Sequence, residues 1–301
     1  YIGKILLTGG AGFIGANIAL ELQKRGEEVV IIDNLFSGTK NNLKEFRGKF
    51  IEADVTKPLK LEGKFDAIVH EAAITDARHE NEEETLNSNV KGFRNILEFA
   101  KKHSSNLVYA SSASVYGNSK TPFRENQQPD LFSAYAKSKY EMDDIAKEQF
   151  GEMQIVGMRY FNVFGPMEEH KGRPASMVYN LINQIMDGKN PRIFKMGEQI
   201  RDHIYVKDAV DATLLALKDK KSGIYNVGTV IGTSFKDLTR LILNSLGSNK
   251  KIEYFDNPYG KNYQHNTQAD TANAQREIGF KAKWKLEEGI KDYVKWMEKN
   301  K

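Results

Sequence analysis

The stretch Lys4-Ile5-Leu6-Leu7-Thr8-Gly9-Gly10-Ala11-Gly12-Phe13-Ile14-Gly15 decides how the rest of this chain is read. An apolar run enters a glycine-rich turn, and Ile14, Ile18 and Leu22 then follow at helical spacing. Strand, tight turn and helix in that order form the opening unit of a dinucleotide-binding sheet. Gly9 permits the sharp turn, Gly12 lets the backbone approach a pyrophosphate, and Gly15 lets the helix pack closely on the strand. The helix start at Phe13 and Ile14 offers unpaired N–H groups to the phosphates. Such a turn can need glycine for shape alone, so a second feature matters. Glu28 to Ile32 reads as another buried strand, and it ends in Asp33, eighteen residues after Gly15, where an acid holds a ribose hydroxyl.

Composition sets the bounds around this opening. A chain of 301 residues, 40% hydrophobic and 28% charged, has ample material for one large domain or two modest ones. No apolar run is long enough to span a bilayer, and no signal-peptide pattern is read at Tyr1. The absence of cysteine excludes disulfides, thiolate metal sites and cysteine nucleophiles, and makes a cytoplasmic setting the expectation. The net charge is only +4, with lysines scattered among glutamates. That balance suits a diphosphate ligand and carries no nucleic-acid footprint. No metal site is expected.

After Asp33, the polar turn Asn34 to Lys40 is expected beside an adenosine ribose. Asp33 favours a free 2′-hydroxyl and so NAD, whereas Lys40 could meet the 2′-phosphate of NADP, and the choice stays open. Lys49 to Glu52 reads as a third strand and Phe65 to Glu71 as a fourth, closing in His70-Glu71-Ala72-Ala73. Small residues there let a cofactor backbone pass over the strand end, while His70 is read as a packed structural histidine. Asn106 to Ala110 is a fifth strand that delivers Ser111 to Gly117, and Gln154 to Arg159 a sixth. Strands alternating with helices at this spacing predict an α/β, doubly wound parallel sheet. Beyond Pro166 the pattern loosens. Helices are expected over Ala175 to Asp187, over Ser234 to Leu246 and from Leu286 onward. The expected division is a dinucleotide-binding domain of residues 1–163 and 201–225 and a smaller mixed α/β substrate domain of 164–200 and 226–301, with the ligand in the cleft.

Tyr135-Ala136-Lys137-Ser138-Lys139 falls on a predicted helix, which puts Tyr135 and Lys139 one turn apart on one face. A free phenol has a pKa near ~10 and is a poor base at neutral pH. A neighbouring ammonium, helped by a cationic nicotinamide ring, lowers that value, so Tyr135 could take a hydroxyl proton. Ser112, arriving from a strand end, could orient the same oxygen.

These residues, with Asp54-Val55, Asn89-Val90-Lys91-Gly92 and Ser111 to Gly117, make the whole chain resemble the extended short-chain dehydrogenase/reductase superfamily. The resemblance implies a bound NAD or NADP, and Ser112, Tyr135 and Lys139 as the catalytic triad. It places Asp54 and Val55 along the adenine and Lys139 on the nicotinamide ribose, and adds Glu71, Ala72, Ala73, Asn89 and Val163 to the cofactor set. Dehydratases of the superfamily carry an Asp-Glu pair after the triad serine, and decarboxylases keep the glutamate. Here Ala113-Ser114 stands instead, and the cysteine of the epimerase-reductases is missing. Epimerases remain. The stretch Arg159 to Ser176 resembles the ADP-L-glycero-D-manno-heptose 6-epimerase family more than the UDP-galactose 4-epimerases. That resemblance implies Lys171 as a second base facing Tyr135 across the sugar. Ser112, Asn162, Arg173, Asn180, Phe194, Arg201 and Tyr263 are the implied substrate contacts, Arg201 as a pyrophosphate clamp. Arg173-Pro174, Asn180 and Met167 depart from the family pattern and leave the sugar open. The expected partner is a nucleotide-diphosphate sugar, with no nucleic acid or membrane, and the expected assembly a homo-oligomer. The competing readings are a UDP-hexose 4-epimerase and a non-catalytic NAD(P)-binding regulator.

Overall fold

In the computed structural model, which describes residues 2–76, 79–219 and 221–300, the opening apolar run is strand β1, Lys4–Thr8. Next come α1 (Phe13–Lys24), β2 (Glu28–Asp33), β3 (Lys49–Glu52), β4 (Ala67–His70), α2 (Glu82–His103) and β5 (Asn106–Ser112). The chain continues through α3 (Ala134–Lys147), β6 (Ile155–Tyr160), β7 (Asn162–Phe164), α4 (Met177–Met186), β8 (Arg192–Phe194), β9 (Ile200–Arg201) and β10 (His203–Tyr205). It ends with α5 (Val206–Lys218), β11 (Gly223–Val227), β12 (Thr233–Ser234), α6 (Phe235–Ser245), β13 (Glu253–Phe255), α7 (Ala272–Ile278) and α8 (Leu286–Lys299).

Seven strands pair in parallel in the order β11-β6-β5-β4-β1-β2-β3. From β1 the chain winds outward through β2 and β3, then returns to β4 on the other side of β1. The strand order therefore reverses between β1 and β4, and a crevice opens at their carboxyl ends, where this class of sheet takes its ligand. The apolar alternation inside β1 explains the two covered faces. Ile5 and Leu7 point into one core and Leu6 into the other. The second core is closed by α2 and α3 through Phe93, Leu97 and Met142. The first runs without interruption from Ile5 through Phe164, Tyr205 and Leu238 to Ile290, so the later part of the chain shares the sheet's core.

The strands follow the sequence expectation with shifted ends. β5 runs two residues further than its apolar run, to Ser112, because pairing with β6 continues as far as Ser112 opposite Tyr160. β11 is a strand the sequence pattern did not single out, and it pairs on β6. α6 begins as expected, with the Ser234 side chain accepting from the Asp237 N–H at 3.1 Å. Three two-stranded ribbons, β10-β7, β12-β9 and β13-β8, complete the strand pairing.

A buried ion pair ties α3 to the sheet. Asp143 and Arg159 are 0% and 2% exposed, with Arg159 Nε donating to Asp143 Oδ2 at 2.9 Å. Tyr109 Oη and Ser111 Oγ also donate to Asp143, at 2.8 and 3.0 Å. Arg159 Nη1 in turn reaches Tyr116 Oη at 2.9 Å. A charge pair this deep needs every partner, because removing one leaves the other unpaired in a dry interior. Asp143→Asn is expected to lower unfolding stability by about 3–5 kcal/mol in urea titrations. A loss under about 1 kcal/mol would mean the pair does not anchor α3.

Candidate active site

The glycine turn is built by close approach. Gly9 has φ +69°, and a Cβ there would lie 2.6 Å from the Ala72 nitrogen, so the turn rests against the loop that follows β4. At Gly15 a Cβ would lie 2.1 Å from the Gly9 carbonyl oxygen, so this glycine packs on the turn itself. Gly12 differs. Its nearest neighbour would be the Gly9 oxygen at 3.3 Å, and no side chain caps the start of α1. The first N–H groups of α1 are thus left without a side-chain cap, as a pyrophosphate site requires. Asp33 is fixed at the end of β2, accepting from the Ala11 N–H at 3.0 Å and the Leu35 N–H at 2.8 Å. Asn34 accepts from the Phe36 N–H at 3.0 Å, and Lys40 Nζ sits 5.6 Å from the Phe50 ring centre. Asp54 Oδ1 holds Thr56 through its N–H and hydroxyl, at 2.9 and 2.7 Å. Val55 packs against Gly92, where a Cβ would come within 2.9 Å.

Asn89, expected as a cofactor contact, is tied to the loop after Ala72 and Ala73: its Oδ1 accepts from the Ile74 N–H at 2.8 Å, while Nδ2 donates to the Ile74 carbonyl at 3.0 Å and to Ser138 Oγ at 3.1 Å.

The reaction centre assembles where β5 ends and α3 begins. Ser112 Oγ accepts from the Ser114 N–H at 3.1 Å and hydrogen-bonds the Tyr135 phenol. Ser133 caps α3, accepting from the Ala136 N–H at 3.1 Å, which sets Tyr135 in the first turn. One turn on, Lys139 is 2% exposed, with Nζ 5.6 Å from the Tyr135 ring centre and donating to the Ala110 carbonyl at 2.7 Å. Burial lowers Lys139 to about 8, against the pull of the Glu71 and Asp143 carboxylates. Burial pushes Tyr135 up to about 12, the Ser112 bond opposes this, and the Glu71 charge adds to it. Lys139 directs its ammonium at the Ala110 carbonyl, so the lysine alone does not make the phenol acidic. Further positive charge arriving at the site would do so. His70 is the packed residue expected: its Nδ1 pairs with Thr8 Oγ1 at 2.7 Å and burial lowers it to about 3.

Lys171 is delivered by the loop of residues 165–176. Glu168, 0% exposed, closes this loop by accepting from the Gly165 N–H at 2.8 Å, the Ser176 N–H at 2.6 Å and Ser176 Oγ at 3.0 Å. Met167 takes φ +76°, strained for a side chain of its size. Two asparagines of the sheet half hold the loop down: Asn17 donates to the Pro166 carbonyl at 2.9 Å and Asn42 to that of Met167 at 3.2 Å. Lys171 Nζ thereby sits 5.6 Å from the Phe13 ring centre, next to the glycine turn. Burial lowers its pKa, with Glu168 opposing. Asn180 Nδ2 braces the same loop on the Ala175 and Ser176 carbonyls, at 3.0 and 3.2 Å, while Arg173 is exposed.

The remaining expected substrate residues divide. Asn162 Oδ1 accepts from Thr267 Oγ1 at 2.7 Å, and Val163 is partly buried against the core. Phe194 is 8% exposed, inside a ring cluster with Phe255 at 5.0 Å and Tyr263 at 5.5 Å. Arg201 was expected as a free fork. Instead Nη1 donates to the Ile200 and His265 carbonyls, both at 2.8 Å, and Nη2 to that of Gln264. Its guanidinium also lies 5.1 Å from the Tyr263 ring centre. The charge that sequence reasoning missed is Asp143, which was findable, since it follows Lys139 at i+4 on one helix face.

A family model described as NAD dependent epimerase/dehydratase family matches residues 5–228. The chain belongs to that family. It is 34% identical to the ADP-L-glycero-D-manno-heptose-6-epimerase of Brachyspira hyodysenteriae, over 98% of each chain. The crystal structure of the Helicobacter pylori enzyme of the same name superposes with a TM-score of 0.92 at 36% identity, covering 98% of this chain and 96% of that one. The UDP-glucose 4-epimerase of Thermotoga maritima superposes with a TM-score of 0.90 at 27% identity, over 99% of both chains. Membership in this NAD-dependent family agrees with the open backbone at Gly12 and the fixed Asp33 carboxylate, which fit a dinucleotide. Among the described residues no cluster of three or more His, Asp or Glu could hold a metal ion, and no helix is long and apolar enough to cross a membrane.

Burial raises Glu168 from 4.5 to about 7. A carboxyl raised by folding gives its full stability below pH 4.5 and loses it as the pH climbs through 7. Glu168→Gln should therefore flatten the fall in urea midpoint between pH 5 and 7.5, by on the order of 3 kcal/mol. An unchanged slope would contradict the assignment.

Proposed function

We propose that this chain epimerises a nucleotide-diphosphate sugar, with ADP-glycero-manno-heptose inverted at C6 as its substrate. The observation that carries this reading is the pairing of two separate candidate bases with one glycine turn. Tyr135 stands at the β5 end with Ser112 and Lys139, and Lys171 is held beside Phe13 by the loop that Glu168 closes. Inverting a carbon through a flat ketone calls for proton exchange on both faces, which one base cannot reach without turning the sugar. The full-length likeness to the Brachyspira and Helicobacter heptose epimerases supports the substrate.

Bound NAD supplies an acceptor for hydride that gives the hydride back in the same cycle. Gly12, with the N–H groups of Phe13 and Ile14, would hold its pyrophosphate, and Asp33 its ribose. Asp33 is anchored on two backbone N–H groups, and Lys40 leans on Phe50, which supports NAD over NADP. In our assignment Ser112 orients the sugar hydroxyl, Tyr135 takes its proton on one face and Lys139 keeps positive charge behind the phenol. Lys171 exchanges the proton on the opposite face. Asn162, Arg173 and Asn180 lie on or near the Lys171 loop and are assigned to the sugar side. Arg201 and Tyr263, guanidinium and ring centre 5.1 Å apart, are assigned to the phosphate side.

The test uses both heptose epimers. Tyr135→Phe should lower kcat by about 10²–10⁴-fold, and Lys171→Met by at least about 10²-fold, with NAD binding kept in both. Full activity of Lys171→Met, or preferred turnover of a UDP-hexose, would replace this reading with a one-base 4-epimerase. Unchanged behaviour of Tyr135→Phe with every sugar nucleotide would indicate a non-catalytic NAD-binding protein.

A further inference from the structure

Glu71 follows the last residue of β4, and the paired register of β4 and β5 sets His70 opposite Tyr109. Continuing that register by one residue brings Glu71 level with Ala110, whose carbonyl receives the Lys139 ammonium. The Glu71 carboxylate and the Lys139 ammonium act on each other electrostatically, and the same carboxylate acts on the Tyr135 phenol. On its other side Glu71 begins a chain of hydroxyls. Tyr160 Oη lies 2.8 Å from Glu71 Oε1 and 2.7 Å from Thr213 Oγ1, and Thr213 Oγ1 lies 2.9 Å from the Ala209 carbonyl. Three contacts are served by only two hydroxyl protons.

That count allows two complete arrangements. With Glu71 ionised, Tyr160 donates to the carboxylate and Thr213 donates to Tyr160, leaving Ala209 its helical partner alone. With Glu71 protonated, the carboxyl donates to Tyr160, Tyr160 to Thr213 and Thr213 to Ala209. The proton comes from water and resides on Glu71, and neither state leaves a hydroxyl without an acceptor. An ordinary structural carboxylate needs no such chain, because fixed N–H donors would hold it ionised.

We propose that Glu71 is a positioning carboxyl for Lys139, and that the Tyr160–Thr213 chain lets it gain or lose its proton in place. It acts through Lys139 and does not itself touch the reacting carbon, so the proposal rests on the assignment of Tyr135 and Lys139 made above. Ionised, Glu71 supports the ammonium and opposes the phenolate; protonated, it withdraws both influences, so the pH profile of kcat carries its titration. The other charged or titratable groups around it are Asp143, which also faces Lys139, and His70, which burial keeps neutral. Burial raises Glu71 to about 7, which puts this change near neutral pH.

The test is infrared difference spectroscopy of the purified protein between pH 5 and 9, alongside the pH profile of kcat. A protonated-carboxyl stretch titrating near neutrality should be present in the wild type and missing in Glu71→Gln. Subtracting the two removes the contribution of Glu168. Tyr160→Phe deletes the hydroxyl that favours the ionised form, so the band midpoint should move up by roughly one pH unit, and the matching inflection of kcat with it. Should Glu71→Gln fail to fold, the shift in Tyr160→Phe decides alone. A wild-type spectrum that Glu71→Gln leaves unaltered, or a midpoint that Tyr160→Phe does not move, overturns the proposal. Loss of the wider reading is separable: Tyr135→Phe would then stay active whatever the carboxyl band does.

Discussion

A lysine ammonium kept out of water, at 2% exposure, is the constraint around which this structure is arranged. Burial alone drives a lysine toward its neutral form, and neutral it would give no charge to the neighbouring phenol. The fold answers with an acceptor and two carboxylates. Ala110 supplies a carbonyl at 2.7 Å, Glu71 arrives from the end of β4, and Asp143 lies one turn further along α3. Asp143 is itself held by Arg159, Tyr109 and Ser111, so the same network that fixes α3 on the sheet also sets the field at Lys139. Packing and electrostatics are here one arrangement.

The later part of the chain contributes reach rather than a separate core. Its loop from Gly165 to Ser176 crosses back over the start of α1 and is pinned there by Asn17 and Asn42. Closing that loop on a single buried carboxylate, Glu168, fixes the position of Lys171 with few residues. The strained backbone at Met167 fits a segment whose shape is set by what it must present. Lys171 is thereby brought beside the glycine turn.

Much of this was legible in one dimension, for physical reasons. Period-two apolar runs and glycine punctuation are local signals, so β1 to β6 and the Asp33 position could be read directly, as could Ser112, Tyr135 and Lys139 from a strand end and a helical spacing. Local signals do not say how a polar side chain is occupied. Asn89 and Arg201 spend hydrogen bonds on nearby backbone and Phe194 joins a ring cluster, occupancies that no local pattern announces. The state of the phenol depended on burial, which spacing cannot report: Tyr135 is held near 12 until more positive charge enters. The extra residues of β5 depended on a partner strand distant in sequence.

The central claim is that one carbon loses and regains its own hydrogen while two side chains handle protons on opposite faces. The most direct measurement follows deuterium placed on the inverting carbon of the heptose during turnover in ordinary water. The account predicts that the deuterium stays on that carbon in the inverted product, with none lost to solvent. Washout of the label into water during inversion would contradict it.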